Sequence, residues 1–287
     1  MKKAKLVNEI FELIKRAETS LPRDVEKKLR EAYKRETNEL ARIQLGEILK
    51  NVKFARKNSL PICQDTGLLT FYVRLGDETK ITEIERAIKS AIVIATKKIP
   101  LRENLVDAIN RKPRNSNLGN KQPEINFEFI PNKREIEISL IAKGAGSENM
   151  NSYKNLSPNE TTEGIKKFIL EKVKEKSKNS CPPIILGVGI GGSSEQAMKL
   201  AKIALLRKLD EKNKNREIAK LEEEILNEIN KLGIGTMGLG GDITCLKVAI
   251  ETADTHIASL PIALSFECWA MRRANVRISS NGKVKFS

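Results

Sequence analysis

The stretch CPPIILGVGIGGSSEQAMKLAKIALLRKL, residues 181–209, decides how the chain is read. Ile184–Ile190 is a short, continuously apolar run of the kind that forms a strand buried on both faces. Gly191-Gly192-Ser193-Ser194 breaks it, and Ala197, Leu200, Ala201 and Ala204 recur at helical spacing beyond. Strand, glycine loop and helix make half of a βαβ unit.

Working outward, the segment before this unit, about 160–177, reads as a helix, and so does about 81–98. INFEFI (125–130) and REIEISLIAK (134–143) alternate apolar and polar residues and are joined by Pro131-Asn132-Lys133, which predicts an antiparallel hairpin. LLTFYVRL (68–75) is a strand stopped at Gly76-Asp77, and NVRISSNGKVKF (275–286) is a terminal hairpin turned by Asn281-Gly282. Residues 5–57 carry apolar positions at helical spacing, such as Leu6, Ile10, Leu13 and Ile14, interrupted at Pro22, and predict two or three opening helices. The charged run 210–231 reads as a solvated loop and helix. The expected fold class is α+β: a helical N-terminal portion (1–58), then mixed sheets flanked by helices (59–287), all in a single domain.

With 287 residues there is length for a sizeable core, and 40% hydrophobic against 31% charged residues excludes a disordered chain. IVIAT (92–96) and PIILGVGIGG (183–192) fall short of the roughly 18 apolar residues that cross a bilayer, so no membrane span is expected. Asn8, Glu9 and Glu12 interrupt any signal-peptide core in the first helix, which implies a cytoplasmic chain. Lys and Arg total 52 against 37 Asp and Glu, a net charge of +15 that attracts anions. Aromatic residues are only 4%, too few for base-stacking platforms, and dicarboxylates fit this field better than nucleic acid.

Gly187-Val188-Gly189-Ile190-Gly191-Gly192 satisfies GxGxxG, yet Asp210, about twenty residues on, lies in a hydrophilic run where a dinucleotide fold needs an acid ending a buried strand. A nucleotide-binding oxidoreductase is therefore a minor alternative. His256, the single histidine, is crowded by Thr252, Asp254 and Thr255, an unusual density of polar groups for a packing position.

The cysteines divide three to one. Cys63 lies in the Pro/Gly-bounded loop LPICQDTG (60–67), Cys181 precedes two prolines, and Cys268 ends an apolar strand beside Trp269. Cys245, within DITCLKVAI, has the surroundings of a small buried hydrophobe. Three loop thiolates suit an iron-sulfur cube with one iron left open; four would suit an electron carrier, and packing cysteines are the alternative to both.

LPICQDTG, RKPRNSNLGN, KGAGSEN, SCPPIILGVGIGGSSEQAMKLAK, GIGTMGLGGDITCLKVAIETADTHIASLP and ECWAMRR, in this order, resemble the class I fumarases, oxygen-sensitive iron-sulfur hydro-lyases. The tartrate dehydratase α subunit shares the pattern. The resemblance implies that Cys63, Cys181 and Cys268 bind a 4Fe-4S cluster. It also implies that Asp65 and His256 are catalytic contacts, Asp65 within a proton relay, and that Gln64, Arg102 of PLREN and Gly146 bind the substrate. Cys245 receives no role. In the family a second part, fused or separate, completes the site. The chain then looks like the α subunit of a hetero-oligomer that needs a separate β subunit to hydrate fumarate to malate. L(+)-tartrate dehydration is the same-chemistry alternative and electron transfer the different one.

Overall fold

The computed structural model describes residues 3–76 and 81–287, and the chain divides into two compact units. Unit 1 comprises residues up to Pro22, Asn51–Ala145 and Met271–Ser287, and unit 2 comprises Arg23–Lys50 and Gly146–Ala270. Three helices open the chain, α1 (Lys3–Thr19), α2 (Arg23–Arg35) and α3 (Glu39–Asn58), as the periodicity requires. Asp77, half of the expected strand stop, lies outside the described residues.

Unit 1 is built on a five-stranded sheet of β1 (Leu68–Leu75), β2 (Glu124–Phe129), β3 (Glu135–Lys143), β8 (Arg272–Ser279) and β9 (Val284–Phe286), in the order β2-β1-β3-β8-β9. The predicted hairpin of residues 125–143 does not form. β1 lies between β2 and β3, parallel to the first and antiparallel to the second. The reason is burial: β2 is half-buried at best along its length, whereas β1 is buried at five of its eight positions and takes the central place. The terminal hairpin does form, β8 against β9, with Gly282 at φ +80° in its turn. α1 and α4 (Ile81–Lys98) pack on this sheet, and Ile10, Leu13, Ile14, Ile88, Ile92, Phe71, Ile138 and Leu140 make the core between them.

Unit 2 holds the four-stranded sheet β4-β7-β5-β6, from β4 (Ser152–Leu156), β5 (Ile184–Ile190), β6 (Cys245–Thr252) and β7 (Leu260–Glu267). β5 and β6 are parallel, so the strand, glycine loop and helix of the opening stretch are completed as a βαβ unit. Side chains alternate across a strand, and β5 uses that alternation to separate two kinds of packing. Ile184, Leu186 and Val188 share a core with Phe168, Ile169 and Val173 of α6 (Thr162–Lys176) and Ile225 and Ile229 of α8 (Arg216–Lys231). On the other face, a Cβ on Gly187 would stand 2.1 Å from the Ala201 carbonyl oxygen, and one on Gly189 would stand 1.9 Å from that of Ala197. These glycines let α7 (Ser194–Ala204) lie directly on the strand.

The expected α+β class and its helical opening are therefore present. The charged run is a loop and a helix as expected, the loop mostly exposed but the helix only partly in solvent, since Glu222, Ile225 and Ile229 of α8 are buried. No helix among the described residues is long and apolar enough to cross a membrane.

Candidate functional site

In unit 1 the loop 60–67 leads into β1 and carries Cys63 and Asp65, both half-buried, and Gln64, which is exposed. Backbone and side-chain bonds fix it at both ends. The Ile62 N–H donates to the Glu18 carbonyl at 2.9 Å, and Asn51 Nδ2 donates to the Ile62 carbonyl at 2.9 Å. Gly67, at φ +73°, is where the loop needs glycine: a Cβ there would lie 2.4 Å from the Lys143 carbonyl oxygen.

Asp65 is held by its carboxylate. Oδ1 accepts the Gly67 N–H at 2.9 Å, and Oδ2 accepts the Ala145 N–H at 2.7 Å. Thr66 Oγ1 donates to the Arg102 carbonyl at 3.3 Å, and Asn104 Nδ2 donates to both Thr66 Oγ1 and the Gly67 carbonyl, at 3.1 and 3.0 Å. Unit 1 thus brings the exposed Arg102 segment beside the loop that carries Cys63, Gln64 and Asp65.

Beneath this loop lies a charged residue that sequence reasoning passed over. Arg272, 1% exposed, donates from Nη1 to the Asp65 carbonyl at 2.5 Å and to Glu18 Oε2 at 3.3 Å, and Glu18 is fully buried. Burial pushes the Glu18 carboxyl up to about 7, against the pull of Arg272 and with a smaller contribution from the Asp65 charge.

In unit 2, Cys181 follows the 3₁₀ turn Ser177–Ser180 in the left-handed conformation, φ 51°, and is exposed. The Trp269 N–H donates to its carbonyl at 3.4 Å, so the residue after Cys268 is tied to Cys181. Cys268, half-buried, follows β7, and its N–H donates to Glu267 Oε1 at 3.2 Å. Next to them lies the glycine loop 233–242, whose Met237 N–H donates to the Pro182 carbonyl at 2.8 Å. The buried Glu36, just past α2, holds that loop by accepting the N–H groups of Asp242 and Ile243 at 3.0 and 3.1 Å.

Gly146 is exposed in the first turn of the short helix α5 (Ala145–Glu148). A Cβ there would meet only the Asn179 oxygen, at an ordinary 3.6 Å, so packing does not demand glycine. His256 is exposed in the loop between β6 and β7, and its Nδ1 accepts the Ala258 N–H at 3.1 Å. A neutral ring so bonded carries its proton on Nε2 and offers a donor outward. The structure does not place His256 beside the two cysteines of its own unit. It precedes β7 and Cys268 follows it, which puts eight strand residues, about 26 Å at about 3.3 Å each, between them.

Among the described residues no group of three or more His, Cys, Asp or Glu side chains forms a metal site. The donor chemistry nonetheless separates the cysteines as a cluster requires. Burial pushes the Cys245 thiol up to about 12 and its Sγ donates to the Lys247 carbonyl at 3.2 Å, both of which disfavour the thiolate there. Cys63, Cys181 and Cys268 all reach solvent, and two of them are joined through Trp269. Each of these three has the solvent access that a metal-ligating thiol needs, and Cys245 does not.

Glu18, Glu36 and Glu222 share a signal that sequence could have given. Each follows an apolar residue of a helix face by four positions, Ile14, Ala32 and Ile218. An acid on the buried stripe of an amphipathic helix marks a partnered buried charge. The GxGxxG motif, in contrast, is used in packing: beyond Gly187 and Gly189, a Cβ on Gly191 would stand 1.9 Å from the Ala253 carbonyl oxygen.

The described chain is thus a two-sheet α+β fold with three solvent-reaching cysteines and an anchored carboxylate. Residues 7–277 match the family model described as fumarate hydratase (Fumerase), and the chain belongs to that family of hydro-lyases. Over 284 residues it is 45% identical to a Methanocaldococcus jannaschii protein provisionally named L(+)-tartrate dehydratase subunit alpha, covering 98% of this chain and all of that one. The Escherichia coli L(+)-tartrate dehydratase subunit alpha is 32% identical, with 97% and 94% covered. A Geobacillus stearothermophilus protein provisionally named fumarate hydratase class I is 37% identical, with 96% of this chain but 55% of that protein covered.

Proposed function

We propose that the chain is the α subunit of a class I fumarate hydratase, reversibly hydrating fumarate to (S)-malate with a 4Fe-4S cluster held by Cys63, Cys181 and Cys268. The observation that carries this reading is the cysteine partition, three thiols that reach solvent and one that is buried. When bound, the cluster supplies an open iron as Lewis acid for substrate oxygens.

The chain's own residues supply the rest. Asp65, oriented by two backbone N–H groups, is the proposed proton-relay member. Arg102 grips a substrate carboxylate through two parallel hydrogen bonds, a task suited to guanidinium. Gln64 offers an exposed amide, and Gly146 offers an N–H from a first helical turn, where no intrahelical acceptor exists. His256, at the opposite end of β7 from Cys268, is left without a direct contact at the cluster in this reading, and its outward Nε2–H is a donor and not the base. Both units together are proposed as one cluster-binding domain, which a separate β subunit completes by adding the facing base and further cations. In support, the Geobacillus relative carries nearly half its length beyond the matched part. A cytoplasmic, reducing setting would keep the thiols available as ligands.

L(+)-tartrate is the second reading, favoured by the names of relatives that the chain matches over nearly their whole length. The test is an anaerobic iron and sulfide count on the purified chain, with spectra before and after each dicarboxylate. About four irons per chain and a substrate-induced spectral change are expected; a loaded cluster indifferent to every dicarboxylate would turn the reading to electron transfer.

A further inference from the structure

Arg272, within ECWAMRR, and Glu18 lie under Asp65, and neither is given a role by the resemblance. One guanidinium nitrogen, Nη1, bridges the Asp65 carbonyl at 2.5 Å and Glu18 Oε2 at 3.3 Å. Glu18 also holds the same loop through its backbone, accepting the Ile62 N–H at 2.9 Å. A Cβ on Gly144 would stand 2.9 Å from Asp65 Oδ2 and 3.3 Å from Arg272 Nη2, so this glycine leaves the room in which the carboxylate and the guanidinium approach. Glu18 is fully buried, and its Oε1 has no hydrogen-bond partner among the described residues. A buried ion pair is a weak source of net stability, because desolvation offsets its attraction. What this pair does supply is a fixed address for residues 62–65.

We propose that Arg272 and Glu18 are positioning residues that set the orientation of Asp65 toward the substrate. This rests on the reading of Asp65 as the proton-relay residue. Lysine at 272 would keep the charge but would put it on a compact ammonium at the end of a flexible stem, without the rigid planar guanidinium that fixes Nη1 between the carbonyl and the carboxylate. Small misplacements of a reacting group are costly in rate, so loss of the bridge should act on turnover before binding.

The experiment uses the chain assembled with its β chain under anaerobic conditions and compares Arg272→Lys, Glu18→Ala, Glu18→Gln, Asp65→Asn and Arg272→Lys/Asp65→Asn. Arg272→Lys and Glu18→Ala should each lower kcat at least about tenfold with KM within about twofold, and Glu18→Gln should recover most of the loss. In the Asp65→Asn background, Arg272→Lys should cost less than about twofold more, because the two act as one unit. Hydrogen exchange gives a readout independent of activity. The Gly67 and Ala145 amides, which donate to Asp65, should lose protection in Arg272→Lys while Leu140 in the sheet core keeps it. Unchanged kcat in Arg272→Lys, a full extra loss in the Asp65→Asn background, or unchanged exchange at Gly67 and Ala145 would overturn the proposal. If Arg272→Lys also exposes Leu140, Glu18→Ala is read by the same criteria. If the unaltered assembly hydrates no dicarboxylate, the functional reading fails, and the exchange comparison still decides whether Arg272 holds Asp65.

Discussion

The N–H of Trp269 donates to the carbonyl of Cys181 across 3.4 Å, and this bond ties two cysteine-bearing segments 87 positions apart in sequence to one place in unit 2. Spacing could not reveal that, since ligands on distant loops have no characteristic interval. The loop settings of the residues could.

The cysteine partition predicts ligand identity. Cys63→Ser, Cys181→Ser and Cys268→Ser should each abolish stable iron and sulfide retention. Cys245→Ser should keep the cluster while lowering stability by about 1–3 kcal/mol, because a hydroxyl replaces an apolar thiol in a buried site. Iron and sulfide analysis beside a denaturant titration separates the two effects. Cluster loss in a folded Cys245→Ser chain would contradict the three-ligand reading.

Glu36 makes the next prediction. Its carboxylate accepts the N–H groups of Asn38, Asp242 and Ile243, and the loop it anchors reaches the Pro182 carbonyl through Met237. Glu36→Ala should leave those donors without their acceptor and cost about 3 kcal/mol or more. It should also weaken iron retention, since Pro182 follows Cys181. A variant with wild-type denaturation midpoint and full iron would show that the anchor is dispensable.

Much of the architecture was legible in the sequence because its signals are local. Helical periodicity marked α1, α4, α6 and α7, and Asn281-Gly282 marked the final turn. The hairpin expected at 125–143 failed because a pleated pattern shows that a strand exists, not which strand it pairs with, and β1 competed successfully for both neighbours. The GxGxxG motif was a weak signal for a related reason. Glycine serves any close backbone approach, and here α7 and Ala253 make those approaches. Of the candidate site, the cysteine settings and the Asp65 loop could be read directly. The buried glutamates carried a signal in their spacing from apolar helix residues, but their partners could not be read, because those are remote in sequence; Arg272 lies 254 positions from Glu18.

Glu18 makes stability depend on pH with a definite sign. Its folded-state value is raised from the ordinary 4.5 to about 7, so between those values the folded chain binds more protons than the unfolded one. By linkage the contribution is fully present below about 4.5 and lost as pH rises through about 7. Glu18→Gln cannot titrate. Denaturant midpoints at pH 5, 6, 7 and 8 should therefore shift in favour of Glu18→Gln relative to wild type as pH rises. A difference constant across that range, or one moving the other way, would show that Glu18 is ionised throughout.

The central claim is that this chain supplies one part of a hydro-lyase site and depends on a second chain for the rest. Its most direct test is an anaerobic hydration assay of the cluster-loaded α chain alone, the matching β chain alone and the mixture, with fumarate, malate and tartrate as substrates. Turnover of fumarate and malate in the mixture, with little from either chain alone, is the predicted result. Vigorous fumarate hydration by the α chain alone, or no dicarboxylate turned over by the loaded mixture, would contradict it.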